Sequence, residues 1–383
     1  MLVADRDETR VLRTLADAEA LVPEWEALLA RSSCDVPFLS PQWLLPWWSV
    51  FGHLDGREPA ILRFDEGGRL VGLALLCFRW HRYRPGIPFR RVEVWGAGEA
   101  EADGICSDYL NVIAETGKET EVAARFAEAL RRWPGRWHEL VVPLVDAAHP
   151  MPIALVEAFR SRGFGATLDK TTTAGYVPFP ATWEAYLAKL DKKDRYLVKR
   201  SEKDFDEWAA GTGRLRIAST VSEIEEGSAI LRRLHGERWE GGGTFRSPRF
   251  LAFHDEAMRS LLAAGGLRLA WLEAHGEPVA AMYSASRGGK VAFYQCGRKL
   301  DVPKNLRPGG VLLYREMRRA LEDGEREFDF LGGEATYKRQ LALAERSLAT
   351  LRVVRPGWRE QARLWVEWGK KWWRGKPKAQ EPT

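Results

Sequence analysis

The order of strand and helix signals runs twice along this chain, and that repetition constrains the fold more than any single motif. A strand pattern from Thr9 to Leu15 leads into an amphipathic helix over 16–31, with Leu21, Trp25, Leu28 and Leu29 at helical spacing. Ser40 and Pro41 open a second helix that runs to Phe51. Strands over 59–65 and 69–80 flank the turn Glu66-Gly67-Gly68, and strands at 91–95 and 109–114 follow. Helix, strand, helix and strand complete the run at 118–133, 137–143, 150–162 and from Phe164.

From Arg214 the order repeats, about 205 residues on. A strand over 214–220 precedes a helix over 222–239, whose Ser222 and Glu225 have capping-box spacing. Ser247-Pro248 opens the next helix, and strands at 267–275, 278–287 and 290–297 follow. A helix over 310–323, a strand over 327–331, a short helix over 335–343 and a strand over 347–354 close the repeat. A charged helix over 182–208 joins the two runs. The expectation is an α/β (α+β) protein in tandem, two mixed β-sheets flanked by helices, divided as 1–175, 176–356 and a basic, Trp-rich tail at 357–383 with a disordered end.

Composition removes several alternatives. With 383 residues, 45% of them hydrophobic, the chain buries a sizeable core without staples. Cys34, Cys77, Cys106 and Cys296 are too far apart for a disulfide framework or a CxxC site. His81, His138, His235, His254 and His275 have no HxxH or HExxH spacing, so no metal is expected. The most apolar stretch, Leu70–Phe78, is far below the roughly 20 residues of a membrane span, and no secretory leader pattern opens the chain. The expected location is cytoplasmic, with a peripheral contact to the inner membrane as a second possibility. Net charge is +5, but the stretch from Arg352 onward carries nine basic and three acidic residues, so the excess sits in the tail. That argues against a DNA-binding body. Trp358, Trp365, Trp368 and Trp372 share one helical face there, followed by Lys370, Lys371, Arg374, Lys376 and Lys378. Such a helix packs on the second half or lies in a membrane interface. Trp43, Trp47 and Trp48 read as core, with a sugar platform as the alternative.

The segment from Ala292 to Leu341 carries the chemistry. Pro308-Gly309-Gly310 stands at a helix start, where amide N–H groups and the positive dipole end face outward. Such a start accepts a phosphate, and Lys304 and Arg307 add charge. The same residues also suit an ordinary loop entering a helix. Lys189–Lys203 holds seven basic and three acidic residues, either a solvated face or a receiver of phosphorylated acceptors.

Four stretches resemble a known family: FLSPQWLLPWWSVFG (Phe38–Gly52), SDYLNVI (Ser107–Ile113), the PGGVLL loop, and FDFLGGEATYKRQL (Phe328–Leu341). They are similar to GNAT acyltransferases of the cellulose-biosynthesis type (CelD/BcsL), which are related to the FemAB aminoacyltransferases with two tandem GNAT-like halves. The resemblance implies a tandem double GNAT-like fold and an acyl-CoA co-substrate, acetyl-CoA or longer. It places the donor along Val291–Gly297, with Tyr294, Gln295 and Gly297. The pyrophosphate falls on the amides of Gly309, Gly310 and Val311, beside Lys304 and Arg307. The loop lacks the Q/R-x-x-G-x-G/A pattern of ordinary GNAT proteins, and Gly332 stands where the family often has Arg. Acyl transfer needs a base, an oxyanion donor and an acid for the departing thiolate. Glu334 as base and Tyr337 as acid, three apart on one helical turn, suit these roles, with Asp329 as the second candidate base. Asp108 and Tyr109 match the Ser-Asp-Tyr motif and are assigned to the acceptor side or the cleft between halves; Arg195, Lys199, Arg200 and Lys338 are assigned to an anionic substrate. The implied reaction is N- or O-acylation of an amine or hydroxyl of a polysaccharide or cell-envelope precursor. The rivals are a FemAB-like transferase fed by aminoacyl-tRNA and a non-catalytic module of a polysaccharide-synthesis complex. The first half, with no comparable glycine helix start, is expected to bind no cofactor.

Overall fold

The computed structural model describes residues 8–83, 86–238 and 243–374. Its strands are β1 (Thr9–Leu12), β2 (Glu58–Glu66), β3 (Arg69–Tyr83), β4 (Ile87–Val94), β5 (Ile113–Ala114), β6 (Glu139–Asp146), β7 (Gly165–Pro178), β8 (Arg214–Ile217), β9 (Leu267–Ala274), β10 (Glu277–Arg287), β11 (Lys290–Arg298), β12 (Glu327–Gly332) and β13 (Ala344–Val354). They form one mixed sheet in the order β1-β2-β3-β4-β6-β13-β7-β12-β11-β10-β9-β8, with β5 paired to β3.

This order explains why the expected two sheets are one. Each half builds a four-strand antiparallel meander and then adds a parallel strand, β6 beside β4 and β12 beside β11. The final strands then cross over. β13, from the second half, pairs with β6 of the first, and β7, from the first, pairs with β12 of the second. β7 and β13 also pair with each other, from Ala344 opposite Tyr176 to Val354 opposite Gly165. The exchange satisfies the backbone groups that each half would otherwise leave on an open edge. The boundary expected at 175/176 falls inside β7.

Helices seal the join. The helices Pro41–Phe51 and Pro248–Ala263, opened by Ser40-Pro41 and Ser247-Pro248, occupy corresponding places in the two halves and pack on each other. Trp43 meets Phe253 edge to face at 4.9 Å, and its indole N–H donates to Ser107 Oγ at 2.9 Å. Trp43, Trp47 and Trp48 are all buried, as core. Ser247 Oγ donates to Asp103 Oδ1 at 2.5 Å and caps its own helix by accepting from the Phe250 amide.

Three local expectations shift. The joining helix is two, Trp183–Lys189 and Lys192–Ala209, because Leu190 and Asp191 take extended backbone. The capping box of the helix Val221–Arg238 is Thr220 with Glu223, not Ser222 with Glu225: Glu223 accepts from the Ser219 and Thr220 amides, and Thr220 Oγ1 from the Glu223 amide. The tail helix Trp358–Arg374 docks by its first turn, where Glu360 bridges Arg352 and Arg363 and Arg359 Nε donates to Pro88 O at 3.1 Å. Trp358 and Trp365 stay exposed; the side chains of Trp368 and Trp372 and all of 375–383, including the expected disordered end, lie outside the described residues.

The exchange predicts that neither half melts cooperatively alone. Fragments 1–180 and 181–383 should each show a broad, non-cooperative thermal transition, and a mixture should regain the intact chain's transition. A cooperative melt of either fragment alone contradicts the exchange.

Candidate active site

β11 and β12 pair in parallel only where Lys290–Ala292 meets Glu327–Asp329, and beyond that they diverge. Two irregularities drive them apart. On β11 the register against β10 slips by one at Tyr294, a β-bulge. On β12 the register against β7 breaks between Asp329 and Gly332, where Leu331 is left-handed at φ 60° and Gly333 sits at φ 113°. A non-glycine residue held there costs on the order of 1–3 kcal/mol and persists only where its surroundings fix it. The diverging strands open a cleft of about 410 Å³, lined by Phe293, Cys296, Gly297 and Arg298 of β11, by Lys304 and Arg307, and by Gly309 and Gly310. The outer edge of β11 there faces the cleft without a strand partner, so an extended ligand can add to it.

The helix Pro308–Glu322 points its start at this cleft. Arg307, its first flanking residue, gives no side-chain cap, and Pro308 has no N–H. The Gly309 and Gly310 amides have no backbone acceptor among the described residues, whereas the Val311 amide already donates to Arg307 O at 3.0 Å. The expected three-amide site is therefore two: Val311 drops out because its N–H is spent and its side chain is buried. Arg298, Lys304 and Arg307 have no carboxylate partner among the described residues. Gly309 lies against the Arg298 side chain, where a Cβ would make ordinary contact with Arg298 Cδ at 3.4 Å.

Two further donor-site assignments change. Tyr294 turns away from the cleft into the join between halves; its hydroxyl donates to Ile105 O and lies 3.2 Å from His254 Nε2. The bulge rotates it out of the face that Phe293 and Cys296 share. Gly297 lines the cleft, but glycine is needed there for packing: a Cβ would come within 2.5 Å of the His235 amide nitrogen. Gln295 is half-buried and does not line the cleft.

A polar cluster from both halves holds the bend of β12. Asp108 Oδ2 accepts the Gly332 N–H at 2.6 Å. Asp329 Oδ2 accepts the Tyr109 hydroxyl at 2.6 Å and Arg346 Nη1 at 3.0 Å, and its Oδ1 accepts the Leu331 N–H at 2.6 Å. Lys338 Nζ donates to Leu331 O and Gly332 O at 3.1 and 2.8 Å. Arg346 also donates to Glu327 at 2.6 Å and stacks on Tyr176 at 3.6 Å. Burial pushes the Asp108 carboxyl up to about 7, against the lowering effect of the Gly332 N–H, with the nearby Asp329 adding to the rise. Burial likewise raises Asp329 to about 6 and depresses Lys338. A carboxyl that titrates near neutrality suits proton transfer.

The other assigned residues divide. Tyr337 lines the cleft, with Phe293 and Phe330 edge-on to its ring. Glu334 is exposed, precedes the helix Thr336–Leu341 and does not line the cleft, so it and Tyr337 do not share a helical turn. Arg195 reaches back to Ala188 O, Arg200 pairs with Asp204, and neither they nor Lys199 line the cleft; their neighbours Asp194 and Leu197 do. Arg298 and Arg346 were missed because each stands in a strand without a recognisable motif. Among the described residues no group of acidic, His or Cys side chains is placed to hold a metal.

Residues 192–339 match the family model described as an acetyltransferase (GNAT) domain. The match supports an acyltransferase. No curated protein matches the chain. In fold it is similar to FemX, at TM-score 0.60 and 11% identity over 94% of this chain and 100% of that one. It is also similar to the C-terminal domain of a putative lysylphosphatidylglycerol synthetase from Agrobacterium fabrum, at 0.52 and 13% over 92% and 96%. L-PGS from Bacillus licheniformis gives 0.51 and 14% over 90% and 93%. The fold is thus a mixed α/β one, shared over nearly the whole chain with these structures.

The raised carboxyls make stability depend on pH. The folded chain keeps protons that the unfolded chain releases, so their favourable contribution is full below the ordinary carboxylate pKa and fades as pH rises through about 7. Asp108→Asn retains an acceptor for the Gly332 amide and removes the buried charge. It should raise Tm at pH 8 relative to the parent, with the gain vanishing below pH 4; a Tm difference independent of pH contradicts this.

Proposed function

We propose that the chain transfers an acyl group from acyl-CoA, acetyl-CoA foremost, to an amine or hydroxyl acceptor. The observation that carries this reading is the pair of amides at Gly309 and Gly310 without an acceptor among the described residues, set beside three cations without a carboxylate partner among them, at the open end of a splayed parallel strand pair. The fit to a diphosphate is direct: two N–H donors at a positive helix end, and Arg298, Lys304 and Arg307 around them. The pantetheine arm lies along the free edge of β11 and brings the thioester toward the bend of β12. The acceptor comes from the side of the first half, where Asp108 and Tyr109 meet β12. A saccharide of a cell-envelope precursor is the acceptor class that the motif resemblance suggests.

In this reading Asp108, rather than the exposed Glu334, takes the proton as the acceptor nitrogen or oxygen bonds to the carbonyl carbon. The carbon–sulfur bond then breaks, and the departing thiolate takes a proton from the Tyr337 hydroxyl. Asp329 and Lys338 hold the bend in shape: Asp329 fixes Tyr109 and the Leu331 amide, and Lys338 holds the Leu331 and Gly332 carbonyls. This route uses one carboxyl near neutrality and one hydroxyl at the cleft, as acyl transfer requires.

Isothermal titration with acetyl-CoA tests the donor. The parent should bind, and Lys304→Glu with Arg307→Glu should weaken binding at least about tenfold, the loss shrinking as salt rises. Tyr337→Phe should leave the binding constant unchanged and lower turnover. Binding unaffected by the charge reversal, or no binding of CoA beside a salt-sensitive complex with tRNA, contradicts the reading.

A further inference from the structure

A second pocket lies on the first half, away from the cleft, where β4, the end of β13 and the start of the tail helix meet. It is open to solvent, has a volume of about 380 Å³ and is lined by Arg131, Arg136, Arg162, Arg355 and Arg359 around His138. Its one carboxylate, Glu360, is taken up between Arg352 and Arg363. Arg131 and Arg162 share Glu128. Arg136, Arg355 and Arg359 have no carboxylate partner among the described residues. Arg355 is held in place by stacking on Trp137 and Phe164 and by donating to the Leu130 and Arg131 carbonyls.

Behind this lining, Arg355 Nε and His138 Nε2 are buried with no partner among the described residues. Both are donors. His138 Nδ1 accepts the Arg90 amide at 2.8 Å, which assigns the ring proton of the neutral imidazole to Nε2. Burial, together with the charges of Arg359 and Arg136, depresses His138, and burial with Arg136 depresses Arg355. A ring of five arginines, three of them without a carboxylate partner among the described residues, is the chemistry that holds an anion with several acceptor oxygens.

The rim says where that anion comes from. Trp358 is 64% exposed and Trp365, two helical turns on and on the same face, is 71% exposed, with Leu364 exposed beside it. Trp80, on β3, is 53% exposed and its ring lies 6.1 Å from His138. Arg359 stacks on Trp358 at 4.6 Å. Exposed tryptophans bordering cationic side chains are the composition of a membrane–water interface.

We propose that this arginine pocket binds the phosphate of an anionic membrane lipid, with Trp80, Trp358 and Trp365 seated in the interface around it. The pocket docks the first half and the tail helix to the membrane surface, and this holds whatever donor the distant cleft takes.

Flotation of the full chain with phosphatidylcholine vesicles, with and without phosphatidylglycerol, tests the proposal, with circular-dichroism melting as the fold control. The parent should float only with the anionic vesicles. Arg136→Glu, at an exposed position, should lower partitioning roughly thirtyfold, and Arg136→Lys should largely restore it. Trp358→Ala with Trp365→Ala should also release the chain, without loss of cooperative melting. Unchanged flotation of Arg136→Glu overturns the pocket's role. Failure of the parent to float overturns the lipid assignment; a rise in Tm with inorganic phosphate, abolished by Arg136→Glu, would then identify a soluble phosphate as the ligand instead.

Discussion

The pairing of β7 with β13 is the constraint on which the rest of the molecule depends. Each is the last strand of its own half and each completes the other half's sheet. One continuous sheet results, and the relative position of the halves is fixed by main-chain hydrogen bonds as well as by side-chain packing. That fixed position lets a loop of the first half, at Asp108 and Tyr109, touch the bend of β12 through two bonds of 2.6 Å. Without the exchange, the bend of β12 would lose the Asp108 carboxylate that holds the Gly332 N–H.

The two halves start from the same plan and end differently. Both place a left-handed leucine in the strand after the parallel pairing, Leu144 in β6 and Leu331 in β12. Both precede that strand with a helix. In the second half the helix begins Pro308-Gly309-Gly310 and leaves two amides free. In the first it begins with Glu119, which is buried and accepts the Gly117 amide at 2.8 Å and the Ser33 hydroxyl at 3.1 Å. A carboxylate already stands where an anion would otherwise be held. The asymmetry supports the proposed donor site in the second half over the first.

The element order was legible because strand and helix periods differ and because Ser-Pro and glycine-turn signals recur at corresponding places. The strand exchange was not, since β7 and β13 read as ordinary strands and nothing local says which partner they take. The Pro-Gly-Gly helix start was legible as a place where amides could meet an anion; that Val311 is not one of the amides without a backbone acceptor depends on its hydrogen bond to Arg307 O. Tyr294 misled because a one-residue bulge, invisible in the sequence, turns it to the other face. Asp108 and Tyr109 could be singled out, but not their pairing with Gly332 and Asp329, which lie more than two hundred residues on. The arginine pocket was not legible because its five arginines come from three separate stretches that only the fold brings together.

Amide hydrogen exchange with and without acetyl-CoA tests the central claim most directly. The account predicts slower exchange confined to Gly309 and Gly310 and to the outer edge of β11 beyond Ala292, with the first half's helix at Glu119 unchanged. Protection at the first half's helix, or none at the Gly309–Gly310 turn while the ligand is bound, would contradict it.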